Sequence, residues 1–300
     1  GLDLTVAKTY RLGNSMARIL IVGAGDVGGR AAVALSAQGH QVWALRRSLP
    51  EQRPSLSGVR TLVADVTRPE TLTQLPSALD IVITALSPGE SGEAAYRRVY
   101  VEGTRHLLQA LAGQTLLRHF WVSSTSVYRE SKGDWVDDDT PVAASAPSTQ
   151  ALIDAEALVL SAAWPSTCVR FGGLYGPGRH WLLRWVSSGK AMQSKPPVWT
   201  NRIHVEDAAG FLVHLVALTL RGEALHKSYI AVDDAPSPQH EVLMWLAEQL
   251  GCDCPPEVMV PDGNQGKRLQ NQRLRASGFA LRYPSFREGY RQVLGARGAQ

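Results

Sequence analysis

One stretch limits the possible folds more than any other: Ile19-Leu20-Ile21-Val22-Gly23-Ala24-Gly25-Asp26-Val27-Gly28-Gly29-Arg30. Branched apolar residues predict a buried strand, glycines a sharp turn, and the alanine-rich run that follows a helix. Each glycine of Gly23-x-Gly25-x-x-Gly28 has its own task. The first permits the turn, the second lets backbone approach a pyrophosphate, and the third lets helix and strand pack closely. Phosphates then meet free N–H groups at the positive end of the helix, beside Asp26 and Val27. A second strand about twenty residues on completes the context of a dinucleotide site.

That strand, Gln41–Leu45, ends at Arg46-Arg47-Ser48. A carboxylate there would bind the ribose 2′-hydroxyl of NAD; two arginines and a serine suit the 2′-phosphate of NADP. NADP is the expected cofactor and NAD the less favoured one, with solvated loop arginines as the alternative. Leu62–Val66 predicts a third strand, Asp80–Leu86 a fourth, and Ala85-Leu86-Ser87 at its end would let the cofactor pass close to backbone. Asp65 either meets the adenine amino group or starts the next helix. A helical pattern runs from about Glu93 to Ala112. His119–Val122 predicts a fifth strand, with Ser123, Ser124 and Tyr128 at the carboxyl edge where open α/β sheets bind ligands. Residues 129–147 have the composition of a surface loop, 148–162 that of a helix, and Thr167–Phe171 that of a sixth strand.

Alternating strands and helices imply an α/β, Rossmann-type doubly wound parallel sheet. Three segments are expected: a disordered leader or expression remnant over 1–15, a dinucleotide-binding domain over 16–171, and a smaller C-terminal α/β substrate or lid lobe over 172–300. Part of that lobe, about 203–231, is expected to pack back on the first domain. The chain has 300 residues, 19% charged and 44% hydrophobic, and a net charge of +4. Its arginines are scattered, which argues against a nucleic-acid face. No apolar run reaches a membrane span, and the cytoplasm is the expected location. Cys168, Cys252 and Cys254 form no disulfide framework and no second pair completes a zinc site, so no metal is expected.

With these residues in view, the chain resembles the short-chain dehydrogenase/reductase superfamily, in its extended or atypical branch related to NAD-dependent epimerases and dehydratases. The marks are the glycine turn, Asp65-Val66, Val101-Glu102-Gly103-Thr104, Val122-Ser123-Ser124 with Val127-Tyr128, Arg170 to Gly178, and Ile203-His204-Val205-Glu206-Asp207. The resemblance implies Ser124 as the catalytic serine, Asp65 at adenine, and Phe171-Gly172-Gly173-Leu174 along the nicotinamide. It also implies His204 and Asp207 as framework, and a possible homodimer.

The chain departs from the family at its catalytic pair. The Tyr-x-x-x-Lys motif should open the helix near 148–154, which reads Ser148-Thr149-Gln150-Ala151-Leu152-Ile153-Asp154. Tyr128 and Tyr175 are the alternative proton donors, and half-buried packing is the bland reading of both. Tyr100 stands where the family asparagine is expected. Two functions follow: an oxidoreductase or epimerase-like enzyme acting on an unknown carbonyl or sugar-like substrate, or a non-catalytic NADP(H) sensor. Arg179, His180, Asn201 and Arg202 are candidates for an anionic or sugar-like group and equally for ordinary surface.

Overall fold

A computed structural model describes residues 16–48 and 56–298; the leader expected over 1–15 lies outside them. The chain divides into two compact, interleaved units. The first takes residues up to 127, 143–170 and 209–229; the second takes 128–142, 171–208 and 230 onward.

The first unit is built on a seven-stranded sheet. In chain order it contains β1 (Arg18–Val22), α1 (Asp26–Ala37), β2 (Gln41–Arg46), β3 (Arg60–Val63) and β4 (Ile81–Thr84). A composite helix α2 over 93–110 follows, then β5 (Arg118–Ser124). The sheet order runs β3, β2, β1, β4, β5, then the strands Ser166–Phe171 and Ser228–Ala231. Pairings from β3 through β5 are parallel. Chain order reverses between β1 and β4, and open α/β sheets bind ligands in the crevice at such a point. Leu20, Val22, Val82 and Leu107 share a buried core with Trp43 and Leu116, so the central strands read as continuous apolar runs. The middle of α2, Arg97–Glu102, is a π-turn within an otherwise α-helical run.

The second unit begins with β6 (Lys132–Val136), inside the stretch expected to be loop. Its partner β15 (Gly266–Leu269) lies some 130 residues away, beyond the reach of local pattern reading. Gly133 permits the pairing region to close, because a Cβ there would sit 3.3 Å from Trp199 Cδ1. Between them the chain forms α3 (Pro147–Leu160) and β7 (Ser166–Phe171) of the first unit. It continues through β8 (Gly173–Tyr175), α4 (Trp181–Ser188), β9 (Met192–Lys195), β10 (Trp199–Thr200), β11 (Arg202–His204), α5 (Val205–Leu220) and β12 (Ser228–Ala231). It then runs through β13 (Ser237–Pro238), α6 (Gln239–Leu250) and β14 (Glu257–Met259) to β15. Tyr175, Leu183, Leu246, Phe286 and Tyr290 are among the residues of its core. Among the described residues no helix is long and apolar enough to cross a membrane.

One buried group makes the first unit acid-sensitive. His119 on β5 is fully buried, shares a 2.8 Å hydrogen bond with Thr84 Oγ1, and leaves Nδ1 without a partner. Burial holds its pKa down at about 4. An unfolded histidine gains a proton near pH 6.5, so the unfolded chain binds more protons between those values and stability falls as pH drops through them. The loss amounts to roughly 3 kcal/mol from this residue. The expected outcome is that His119→Asn flattens the fall in melting temperature between pH 6.5 and 4; an unchanged fall would place the acid sensitivity elsewhere.

Candidate functional site

The three glycines of the turn do three separate things. Gly23 has φ +90°, and a Cβ there would lie 2.1 Å from the Ala85 carbonyl oxygen. The same crossing is tied by Ala85 N donating to Val22 O at 2.7 Å and Gly23 N to Leu45 O at 3.1 Å. A Cβ on Gly28 would lie 2.3 Å from the Gly23 carbonyl, so α1 packs directly on the turn. Around Gly25, by contrast, no atom falls within 4 Å of an added Cβ. The chain closes on itself at the first and third glycines and stays open at the second, which is where a pyrophosphate fits.

A groove of about 670 Å³ starts at this opening and is lined by Gly25, Asp26, Arg30, Arg46 and Leu56. Asp26 accepts from Arg30 Nε at 2.8 Å, which offsets its charge at the end of α1 where phosphates would sit. Val27 is buried beneath the turn. Arg46 is only 8% exposed, yet its Nε has no hydrogen-bond partner. A buried guanidinium donor without a partner is costly unless something fills the place. Arg47 is exposed and its guanidinium lies against Gly89, where an added Cβ would meet Nη2 at 3.2 Å. Ser48 is exposed beside it. Both features, the open cradle at Gly25 and the orphaned donor on Arg46, fit a dinucleotide.

Asp65 and Val66 follow β3 in a turn. Asp65 Oδ1 accepts from the backbone N–H and hydroxyl of Thr67, and Thr71 Oγ1 accepts from Asp65 N. Val66 is buried against Gly103, where a Cβ would lie 2.7 Å from Val66 Cγ2; this explains Gly103 in the Val101–Thr104 motif. Beyond β4, Ala85 and Leu86 are half-buried and Ser87 is exposed. Tyr100 donates to the Leu86 carbonyl at 3.4 Å with its ring edge-on to Trp121, and burial pushes its pKa up to about 12.

The two serines of β5 diverge. Ser123 is buried and donates to Glu156 Oε2 at 2.6 Å. Glu156 in turn pairs with Arg170 at 2.6 Å, and both are nearly inaccessible. Ser123 is thus committed to an internal ionic network, whereas Ser124 is half-exposed and accepts from Ser126 N at 3.1 Å. At the position of the expected catalytic pair, α3 presents no tyrosine and no lysine.

The remaining predicted residues lie in the second unit, which begins again at Phe171, the last residue of β7. Gly172 and Gly173 are needed for close strand approach: a Cβ on Gly172 would lie 2.7 Å from Val232 Cγ1 and 3.1 Å from the Asn201 carbonyl. Leu174 is half-buried in β8, paired with Ile203 of β11. Tyr128 is buried, and its carbonyl accepts from Lys267 Nζ at 2.7 Å. Lys267 is a residue that sequence reading passed over; burial lowers its pKa, opposed by Glu130. Tyr175 is 5% exposed, stacks on Tyr290 at 4.7 Å and donates to the Ser285 carbonyl at 3.4 Å. Burial, reinforced by Asp233, raises its pKa well above the ordinary tyrosine value.

His204 and Asp207 act as framework. His204 Nδ1 accepts from Glu206 N at 3.0 Å, and its Nε2 is 2.8 Å from Gln292 Oε1. Asp207 accepts from the backbone of Arg282 and Tyr283. Asn201 clamps β15 through Lys267 O and Leu269 N. Arg202 is buried with Nη2 donating to Thr200 and Nη1 without a partner. His180 is half-buried before α4. Cys252 and Cys254 are exposed, and no group of three metal-ligating side chains occurs among the described residues.

The parallel sheet, its switch point and the glycine cradle define a dinucleotide-binding protein of the Rossmann type. Residues 23–217 match the NAD(P)H-binding family model, and the chain belongs to that family. It is 38% identical to a Methylobacillus flagellatus structure described as an NAD-dependent epimerase/dehydratase, with TM-score 0.80 over 95% of this chain and all of that one. It is 29% identical to 3-diazoavenalumate denitrifying reductase of a Streptomyces species, covering 91% of this chain and 98% of the relative. Protein YeeZ of Escherichia coli K12 is 28% identical over 90% of this chain and 97% of its own length. The short-chain dehydrogenase/reductase superfamily, epimerase/dehydratase branch, is therefore the chain's family, without the usual tyrosine–lysine motif.

The glycine geometry separates folding from binding. Gly25→Ala is expected to leave stability within about 0.5 kcal/mol while weakening dinucleotide binding. Gly23→Ala is expected to lower stability by several times that amount, because it strains φ and collides with Ala85. Chemical denaturation and nicotinamide fluorescence titration of both variants check the contrast; equal stability losses would refute it.

Proposed function

We propose that the chain is an NADP(H)-dependent reductase. The cofactor preference rests on Arg46: a buried guanidinium with an unused donor at the end of β2, followed in sequence by Arg47 and Ser48 rather than by a carboxylate, suits a 2′-phosphate. Gly23, Gly25 and Gly28 with Val27 would hold the pyrophosphate, and Arg46, Arg47 and Ser48 the 2′-phosphate. Asp65 and Val66 would hold adenine, Ala85 to Ser87 would line the backbone side, and Phe171 to Leu174 would line the nicotinamide. Bound NADPH supplies a hydride.

The chain's own contribution is positioning rather than acid catalysis. Tyr175 spends its hydroxyl on Ser285, and burial makes both Tyr175 and Tyr100 hold their protons more tightly. Ser124 would orient the acceptor by hydrogen bonding. An acceptor that needs no tyrosine proton matches these residues: an electron-poor nitrogen function, such as an aryl diazo group, rather than a carbonyl or sugar. The name of the Streptomyces relative, 3-diazoavenalumate denitrifying reductase, supports the same class. The missing tyrosine and lysine also favour a second reading, a non-catalytic NADP(H) sensor; a small-molecule ligand, possible dimerisation and a cytoplasmic setting are common to both.

Titration with NADPH and NADH tests the cofactor reading. The wild type is expected to prefer NADPH, and Arg46→Ala to lose about 10-fold or more in NADPH affinity with NADH nearly unchanged, the worth of one charge-assisted hydrogen bond. Equal losses for both would refute the 2′-phosphate role. Loss of nicotinamide absorbance with an aryl diazonium salt, above the rate with a Gly25→Val variant and above aldehyde or sugar-nucleotide controls, is expected. Tight NADPH binding without turnover of any acceptor would overturn the reductase reading in favour of the sensor.

A further inference from the structure

The second unit contains a cavity of its own, about 370 Å³ in volume, at the low end of the roughly 300–1,000 Å³ typical of small-molecule sites. Its lining is half apolar and half polar: Trp199, Phe286 and three prolines supply a stiff apolar wall, and two serines with three ionisable side chains supply the rest. Phe286 is fixed by its edge-on contact with Trp245 at 5.5 Å, and Trp199 by Arg268, whose guanidinium carbon lies 4.9 Å from the ring centre.

Three ionisable groups look into this space without satisfying one another. Glu241, in the first turn of α6, and Arg287 both line it and are exposed, and among the described residues they do not pair with each other. The guanidinium of Arg287 instead rests 4.5 Å from the ring centre of Phe286. His240 lines the same cavity, and its Nδ1 is buried with no hydrogen-bond partner. A simple anion entering here would meet Glu241, and a simple cation would meet Arg287. A molecule carrying both charges satisfies both side chains and gives His240 Nδ1 a partner, while its apolar part lies against tryptophan and proline.

We propose that this cavity is a binding site for a zwitterionic small molecule with an apolar body, of the class of α-amino acids with aromatic or large aliphatic side chains. Arg287 takes the carboxylate, Glu241 takes the ammonium group, and Trp199 packs on the side chain. The site uses no residue of the dinucleotide cradle, so it stands or falls separately from the reductase reading.

L-Phenylalanine, 3-phenylpropionate and phenethylamine are the probes, titrated calorimetrically into the full chain. L-Phenylalanine is expected to bind at least 10-fold more tightly than either single-charge analogue. Glu241→Gln should remove the advantage over 3-phenylpropionate, and Arg287→Ala the advantage over phenethylamine, with NADPH affinity unchanged in both variants. The proposal fails if L-phenylalanine does not bind, if all three probes bind alike, or if neither substitution changes their ranking. Unchanged far- and near-ultraviolet circular dichroism and an unchanged melting transition show that each variant is folded, so a negative result counts against the site itself.

Discussion

Everything in the first unit depends on how closely two stretches of backbone approach at the sheet's switch point. Gly23 lies so near the carbonyl of Ala85 that a single methyl group would occupy the same space. That contact brings the ends of β1 and β4 together, starts α1 immediately after the turn, and leaves the second glycine with open space above it. The binding cradle is therefore a by-product of packing: where the chain cannot tolerate a side chain it closes, and the one place where a side chain would fit is the place left for a ligand. Stability and function are close here, two residues apart, yet physically separable.

The same economy governs the polar groups. Ser123, Glu156 and Arg170 form a buried network whose members satisfy one another, which is the condition under which buried charge is tolerated. Arg46 violates that condition at the end of β2. A donor kept from water and from protein partners alike costs free energy, and sites that tolerate such a cost are commonly those completed by a ligand. The contrast between a satisfied arginine and an unsatisfied one in the same unit is more informative than the number of arginines in the sequence.

Much of the first unit was legible beforehand. Fully apolar strands such as Ile81–Thr84, the glycine spacing and the period of the helices are local signals, and local signals survive folding. Boundaries shifted by a few residues, as with the third strand, which ends at Val63 before the Asp65 turn. Residues 132–136 were not legible as a strand. Lys-Gly-Asp-Trp-Val has little alternation, and its partner Gly266–Leu269 is remote in sequence. Of the candidate site, the cradle could be read because glycine leaves a unique mark. The commitment of Ser123 to Glu156 could not, because it depends on which face of β5 meets α3. Tyr175 was a reasonable candidate donor by its place in the chain, but its surroundings, Tyr290 and Ser285, come from the far end of the sequence.

The interleaving of the two units has a bearing on how the protein is made. The cofactor-holding sheet takes its outermost strands from residues 166–171 and 228–231, after the chain has twice left for the other unit and returned. A ribosome releasing about 5–20 residues per second must work for roughly ten to fifty seconds before the last of those strands emerges. Through that interval the sheet keeps an unpaired outer edge, first on β5 and then, once residues 166–171 have paired with it, on β7. The nascent chain thus carries a strand edge that only a later part of the message can cover: a stop before residue 166 would leave β5 open, and a stop between 171 and 228 would leave β7 open.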